Sequence, residues 1–197
     1  TLYNLYVRVL DQNGKVVDGY RRRIGIRSIE FKGKAFFLNG KQYDKPLIGA
    51  NRHQDFAVVG NAVANSAHWR DAKKLRDLGM RVIRNAHCPQ DPAFMDACDE
   101  LGLFVIDNIP GWQFWNKDPQ FEQYIYDDIR NLVRRDRNHP SVFLWSVGNE
   151  VDYPNDPYSH PILNGGNSDF TQPVFGGYKP NQPNAERIGR IAQRLVP

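Results

Sequence analysis

The stretch Met80-Arg81-Val82-Ile83-Arg84-Asn85-Ala86-His87-Cys88-Pro89-Gln90-Asp91-Pro92-Ala93-Phe94-Met95-Asp96-Ala97-Cys98-Asp99-Glu100-Leu101-Gly102-Leu103-Phe104-Val105-Ile106 decides the fold. Met80 to Arg84 is a short apolar strand. Asp91 and Pro92 stand where a helix places its N-cap and its first residue. Phe94, Ala97, Cys98 and Leu101 recur at helical spacing, and Gly102 supplies the stop. Leu103 to Ile106 is a second apolar strand. Apolar strands joined by an amphipathic helix imply parallel strands buried on both faces.

The same unit repeats on either side. Upstream, Leu47-Ile48-Gly49-Ala50 reads as a strand, and Ser66 is expected to cap a helix running to Leu78. That helix should bury Trp69, Ala72, Leu75 and Leu78, with Gly79 as its stop. Downstream, Asp118-Pro119 opens a helix that buries Phe121, Ile125, Ile129, Leu132 and Val133 and ends at Asn138-His139-Pro140. Val142 to Trp145 is a fourth strand, with Trp145 packing the barrel or flooring a site. A loop rich in Pro and Gly runs from Val151 to Pro183, and Asn184 caps a fourth helix. A loop this long is either functional, rimming a pocket, or a solvated insertion. From Pro46 onward the chain is thus four consecutive β-α units, of an open doubly wound sheet or of a (β/α)8 barrel. Neither GxGxxG nor GxxxxGK occurs, which weakens a nucleotide-binding reading.

The first 45 residues read instead as hairpins. Leu5, Val7 and Val9 alternate with Tyr6, Arg8 and Leu10, and Asn13-Gly14 is a hairpin turn. Lys15 to Phe31 looks extended and carries Arg21, Arg22, Arg23 and Arg27, a cluster that suits a solvated strand or a domain junction better than a polyanion site. A second hairpin turns at Asn39-Gly40. The whole chain has 197 residues, a net charge of +4 and 41% hydrophobic residues, the composition of a globular protein. No run approaches the ~20 apolar residues of a membrane helix, and neither a nucleic-acid nor a membrane partner is expected. The two cysteines, Cys88 and Cys98, read as free thiols.

Functional groups should lie at the C-terminal ends of the strands, and those ends are polar. Asn51, Arg52, His53, Gln54 and Asp55 follow the first strand. Arg84, Asn85 and His87 follow the second, Asp107, Asn108, Trp112 and Trp115 the third, and Asn149 and Glu150 the fourth. Indole faces beside carboxylates and amides suit a sugar, whose apolar faces stack and whose hydroxyls need planar partners. His53 and His87 taken singly are equally well loop histidines. Asp107 either coordinates a divalent cation or caps its loop, and with Trp112 it joins the substrate-binding candidates. No HxxxH or CxxC spacing supports zinc.

The run Arg137-Asn138-His139-Pro140-Ser141-Val142-Phe143-Leu144-Trp145-Ser146-Val147-Gly148-Asn149-Glu150 closely resembles the acid/base motif of glycoside hydrolase family 2, the family of β-galactosidases, β-glucuronidases and β-mannosidases. Weaker matches follow in order at Gly49 to His53, Arg84 to Pro89 and Asp99 to Leu103. The resemblance covers roughly residues 25 to 197. It implies an α/β fold: residues 1–30 ending an immunoglobulin-like β-sandwich, and residues 31–197 forming the first four β-α units of a TIM barrel. It implies that Glu150 is the general acid/base of a retaining hydrolase and that Asn149 binds the hydroxyl beside the anomeric carbon. Arg84 would orient the nucleophilic carboxylate, and His53 and His87 would contact the sugar. The leading substrate is a terminal β-galactoside; a β-glucuronidase, a β-mannosidase and a non-catalytic carbohydrate-binding half-barrel are the rivals. Ile106-Asp107-Asn108-Ile109 departs from the magnesium-binding pattern of the metal-dependent β-galactosidases, so no metal and no cofactor are expected. A periplasmic or extracellular setting suits a polysaccharide degrader, with any signal peptide upstream of Thr1.

The family's nucleophile lies at the end of a seventh barrel strand, and a (β/α)8 barrel takes ~250 residues. The expectation is therefore a truncated barrel that holds the acid/base and lacks hydrolase activity. Two open sheet edges and an unfilled interior would invite association. Light scattering is expected to show dimers or larger species; a stable monomer on dilution would contradict this.

Overall fold

The computed structural model describes residues 1–110 and 119–149. Trp112, Trp115, Glu150, the loop from Val151 and the helix expected after Asn184 lie outside the described residues.

Strands β1 (Leu2–Leu10) and β2 (Val16–Gly25) form an antiparallel ribbon. Its turn is longer than the expected two residues. Asp11 organises it, accepting the backbone N–H of Asn13 at 2.8 Å and of Lys15 at 2.9 Å, while Gly14 takes a φ of +79°. The extended segment expected from Lys15 to Phe31 is broken after Gly25, where a Cβ would stand 2.6 Å from the Pro140 ring. Strands β3 (Ile29–Lys32), β4 (Ala35–Leu38) and β5 (Lys41–Gln42) then form a three-stranded antiparallel sheet. Asn39 and Gly40 both have positive φ at its second turn, as a two-residue hairpin of this type requires.

The remaining described elements alternate: β6 (Gly49–Arg52), α1 (Asn65–Asp77), β7 (Val82–Asn85), α2 (Pro92–Leu101), β8 (Phe104–Asn108), α3 (Pro119–Asp136) and β9 (Val142–Ser146). The four strands form one parallel sheet in the order β6-β7-β8-β9. Helix α2 follows its sequence signals: the Asp91 carboxylate accepts the Ala93 N–H at 2.8 Å, and Gly102 closes the helix with a φ of +67°. Helix α1 departs from them. It starts one residue before Ser66, with Ala64 as an N-cap that makes no side-chain bond, and it buries His68 and Ala72 while Trp69 and Leu78 are exposed. His68 can be buried because Arg52 and Asp91 lie against it.

Alternation along the strands sorts the sheet into two faces. Ile83 and Val105 pack with Ala72, Phe94, Met95, Ala97 and Cys98 beneath the helices. Val82 and Phe104 face the other way and pack on Phe36, with Tyr43, Leu38, Ile29 and Phe143 around them. The Phe36 ring sits 5.5 Å from that of Phe104, edge to face. The small β3–β5 sheet therefore plugs the concave face at the start of the parallel strands. The far end of that face is left to polar residues.

The arginine-rich ribbon is tied to the same body. Arg23 pairs with Glu100 at 2.5 Å, Arg27 donates to the carbonyls of Pro140 and Val142, and Arg22 lies 3.4 Å from His139. His139 and Ser141 in turn hold α3 and β9 to α2 through one carboxylate. Asp99 meets His139 Nδ1 at 2.7 Å and accepts the Ser141 N–H at 2.9 Å. Burial works against the charged imidazole, but the bond to Asp99 and the charges of Asp99, Asp136 and Asp96 prevail, and His139 is shifted up. Its contribution to stability is thus full at low pH and is lost as pH rises through the raised value. Asp96, Asp99 and His139 offer ligand atoms within 4.8 Å of one another, yet both Asp99 oxygens already have partners and Arg22 supplies positive charge there. Removing one partner of such a buried pair is costly, so Asp99→Ala should lower the unfolding free energy by about 3 kcal/mol. Urea denaturation checks this, and a loss under about 1 kcal/mol, the worth of a surface pair, would contradict it.

Candidate functional site

Arg84 faces the concave side near the end of β7, two residues beyond Val82. A guanidinium has five donors and no acceptor, so partial burial demands acceptors around it. Its Nη1 lies 2.9 Å from His87 Nδ1. Its Nη2 donates to Asn149 Oδ1 at 3.2 Å, Asn108 Oδ1 at 3.4 Å and the Gly148 carbonyl at 3.5 Å. One side chain on β7 thereby gathers the loop after its own strand, the end of β8 and the segment after β9. Because arginine only donates, His87 must accept through Nδ1, which puts the proton of its neutral form on Nε2. The Asn149 oxygen is likewise committed to Arg84, which turns the amide nitrogen of Asn149 away from it.

The exposed His53, just past β6, completes the cluster: its ring lies 5.3 Å from that of His87, edge to face. Arg84, His87, His53 and Asn149 thus lie together in one cluster. Glu150, the next residue after Asn149, and Trp112 lie outside the described residues. Asn108 is a member that sequence reasoning named among the polar strand ends but did not select. Its signal was register: Arg84 pairs with Ile106, so Asn108 stands two residues further along the same face.

Asp107 is not part of this group. It belongs to β8 itself, its side chain points to the helix side, and it is fully buried. It accepts from Asn85 Nδ2 at 2.8 Å, and Asn85 is the neighbour of Arg84 that faces backwards. Beyond Asp107 lies Asp136 on α3, held by two bonds from Arg135 at 2.8 and 2.6 Å. The strand ends are longer than the apolar runs suggested because Arg52, Asn85, Asp107 and Asn108 all lie within strands and find polar partners there.

The model of the TIM barrel domain of glycosyl hydrolases family 2 matches residues 29–163. A β-galactosidase of Thermoanaerobacter pseudethanolicus is 40% identical over 149 residues, 74% of this chain and 19% of that protein. A putative β-glucuronidase of Formosa agariphila is 38% identical over 151 residues, 76% of this chain and 18% of that protein. Among solved structures, a β-glucuronidase from Ruminococcus gnavus in complex with D-glucuronic acid matches with a TM-score of 0.69 at 31% identity, over 75% of this chain and 25% of that one. The chain spans about a fifth of the length of the curated relatives it matches.

The carboxyl pair behind the sheet has a pH signature. Burial, and then the hydrogen bond and charge of Asp136, push Asp107 from 3.8 up to about 7, against the bond from Asn85 and the charge of Arg135. Asp107 Oδ2 finds no hydrogen-bond partner, so this oxygen is the place for the proton that the raised value implies. A carboxyl whose folded value is raised binds more protons when folded, so its contribution is present near pH 4 and lost as pH rises through about 7. Asp107→Asn puts an amide N–H where that proton sits. Its urea midpoint should fall less than that of the unsubstituted chain between about pH 5 and about pH 8. The His139 contribution is common to both chains, so equal slopes would contradict the raised value of Asp107.

Proposed function

Because the chain belongs to glycosyl hydrolase family 2 and its four parallel strands and intervening helices are those of that family's TIM barrel, we propose that it carries the sugar-binding and acid/base half of a retaining β-glycosidase, with a terminal β-galactoside as substrate. The observation that supports this most is the convergence on Arg84 of His87, Asn108 and Asn149, immediately before Glu150. On this reading Glu150 protonates the leaving oxygen and later activates water, while a second carboxylate forms the glycosyl-enzyme. For the first step Glu150 must hold a proton, which requires its pKa to stand above the ordinary carboxylate range. Asn149, its oxygen fixed by Arg84, presents its amide nitrogen to the hydroxyl beside the anomeric carbon. His53 and His87 contact the ring, and Trp112 joins them as a substrate-binding residue. Arg84 orients the attacking carboxylate. Asp107 supports β8 from behind.

The same reading makes residues 1–30 the end of a sandwich domain and residues 31–197 the start of the barrel. A terminal β-galactoside is the leading substrate of this reading and a β-glucuronide its rival. The β-galactosidase named among the relatives agrees with this choice, and the β-glucuronidases mark the alternative.

Titrating the chain calorimetrically with phenyl β-thiogalactoside and phenyl β-thioglucuronide tests the reading. The galactoside should bind the tighter, and Arg84→Lys, which keeps the charge but not the fork of donors, should weaken it about tenfold. Tighter binding of the glucuronide would favour the alternative, and binding of neither would contradict both. In the enzyme that carries this barrel segment, Glu150→Gln should lower kcat/KM on an alkyl β-galactoside by about 10²–10⁴.

A further inference from the structure

Arg52 ends β6 and is almost wholly buried, although it stands next to the exposed His53. Its Nε donates to Asp71 on α1 and its Nη1 to Gln90 Oε1. Its Nη2 lies 3.2 Å from His68 Nδ1, and its guanidinium carbon lies 3.9 Å from the centre of the Phe94 ring on α2. A guanidinium stacked on an aromatic face and bonded at every nitrogen is held in a single orientation.

Two of the bonds rooted in this residue reach the segment that carries His87, from opposite sides. The backbone N–H of Ala86, the residue before His87, donates to the Arg52 carbonyl at 2.9 Å. Gln90, 1% exposed, accepts from Arg52 with its oxygen and donates with its nitrogen to the carbonyl of Cys88, the residue after His87, at 3.2 Å. We infer that Arg52 and Gln90 are positioning residues, which fix the loop after β7 so that His87 meets Arg84 and stands beside His53. Arg52 acts through its buried contacts and does not itself face the concave side. The inference deepens the proposed function, since the placement of His87 matters to a sugar only if that reading holds; the bonds themselves do not depend on it.

Gln90→Glu separates positioning from simple stability. A carboxylate still accepts from Arg52, but it cannot donate to the Cys88 carbonyl. Two-bond ¹H–¹⁵N spectra of the histidine rings, recorded on the sugar-free chain, read the outcome. The His87 cross-peaks should move and broaden, while those of His139, held by Asp99, should stay in place. His87 cross-peaks that superpose on those of the unsubstituted chain would overturn the inference. Hydrogen exchange on the unsubstituted chain gives a second reading that does not rely on a folded variant: the Ala86 N–H should be protected, and exchange at the rate of an open loop would overturn the inference equally. Neither measurement uses a sugar, so failure of the proposed substrate would leave both results standing.

Discussion

The arrangement depends on one constraint, the need of a half-buried guanidinium for acceptors. Arg84 sits at the end of a strand in a sheet covered by helices on one side and plugged by the β3–β5 hairpins on the other. It has only donors and cannot accept, so its place is tenable only where oxygens and an imidazole nitrogen converge on it. The partners it collects come from β8, from the segment after β9 and from the loop after β7. The requirement that makes the arginine tolerable is therefore also what draws groups from separate β-α units into one cluster.

The sheet gives this cluster its direction. A parallel strand shows alternate residues to opposite faces, so Val82 and Arg84 share one face and Ile83 and Asn85 share the other. On the concave face the apolar half is filled by Phe36 and its neighbours, and the other half carries the polar cluster on Arg84. On the helix face the order is the same, with an apolar layer under α1 and α2 followed by the polar pairs Asn85–Asp107 and Arg135–Asp136. Polar residues thus stand on both faces at the same ends of the strands. Those in front gather on Arg84, and those behind form separate pairs.

This explains what was legible in the amino-acid sequence. The β-α units were, because burial on both faces leaves apolar runs, and because Asp91, Pro92 and Gly102 carry helix-end signals that depend on local chemistry alone. The strand ends were less so. Asn85, Asp107 and Asn108 look like loop residues until their partners are known, and those partners lie on other elements. The same reason hides His68: a hydropathy stripe selects Trp69 for the core, whereas the structure buries the imidazole because Arg52 and Asp91 meet it. Arg84, His87, His53 and Asn149 were found by position at strand ends and by family resemblance. Asp107 satisfied the positional rule equally well, and only the alternation of faces removes it from the cluster.

The central claim is that the concave face above Phe36 ends in a sugar site built around Arg84. A crystal structure of the chain with phenyl β-thiogalactoside tests it most directly. The account predicts a pyranose ring over His53 and His87, with the hydroxyl beside the anomeric carbon at the amide of Asn149. A sugar ordered elsewhere on the chain, for instance in the pocket lined by Tyr20, Arg22, Asp96 and His139, with the Arg84 cluster empty, would contradict it.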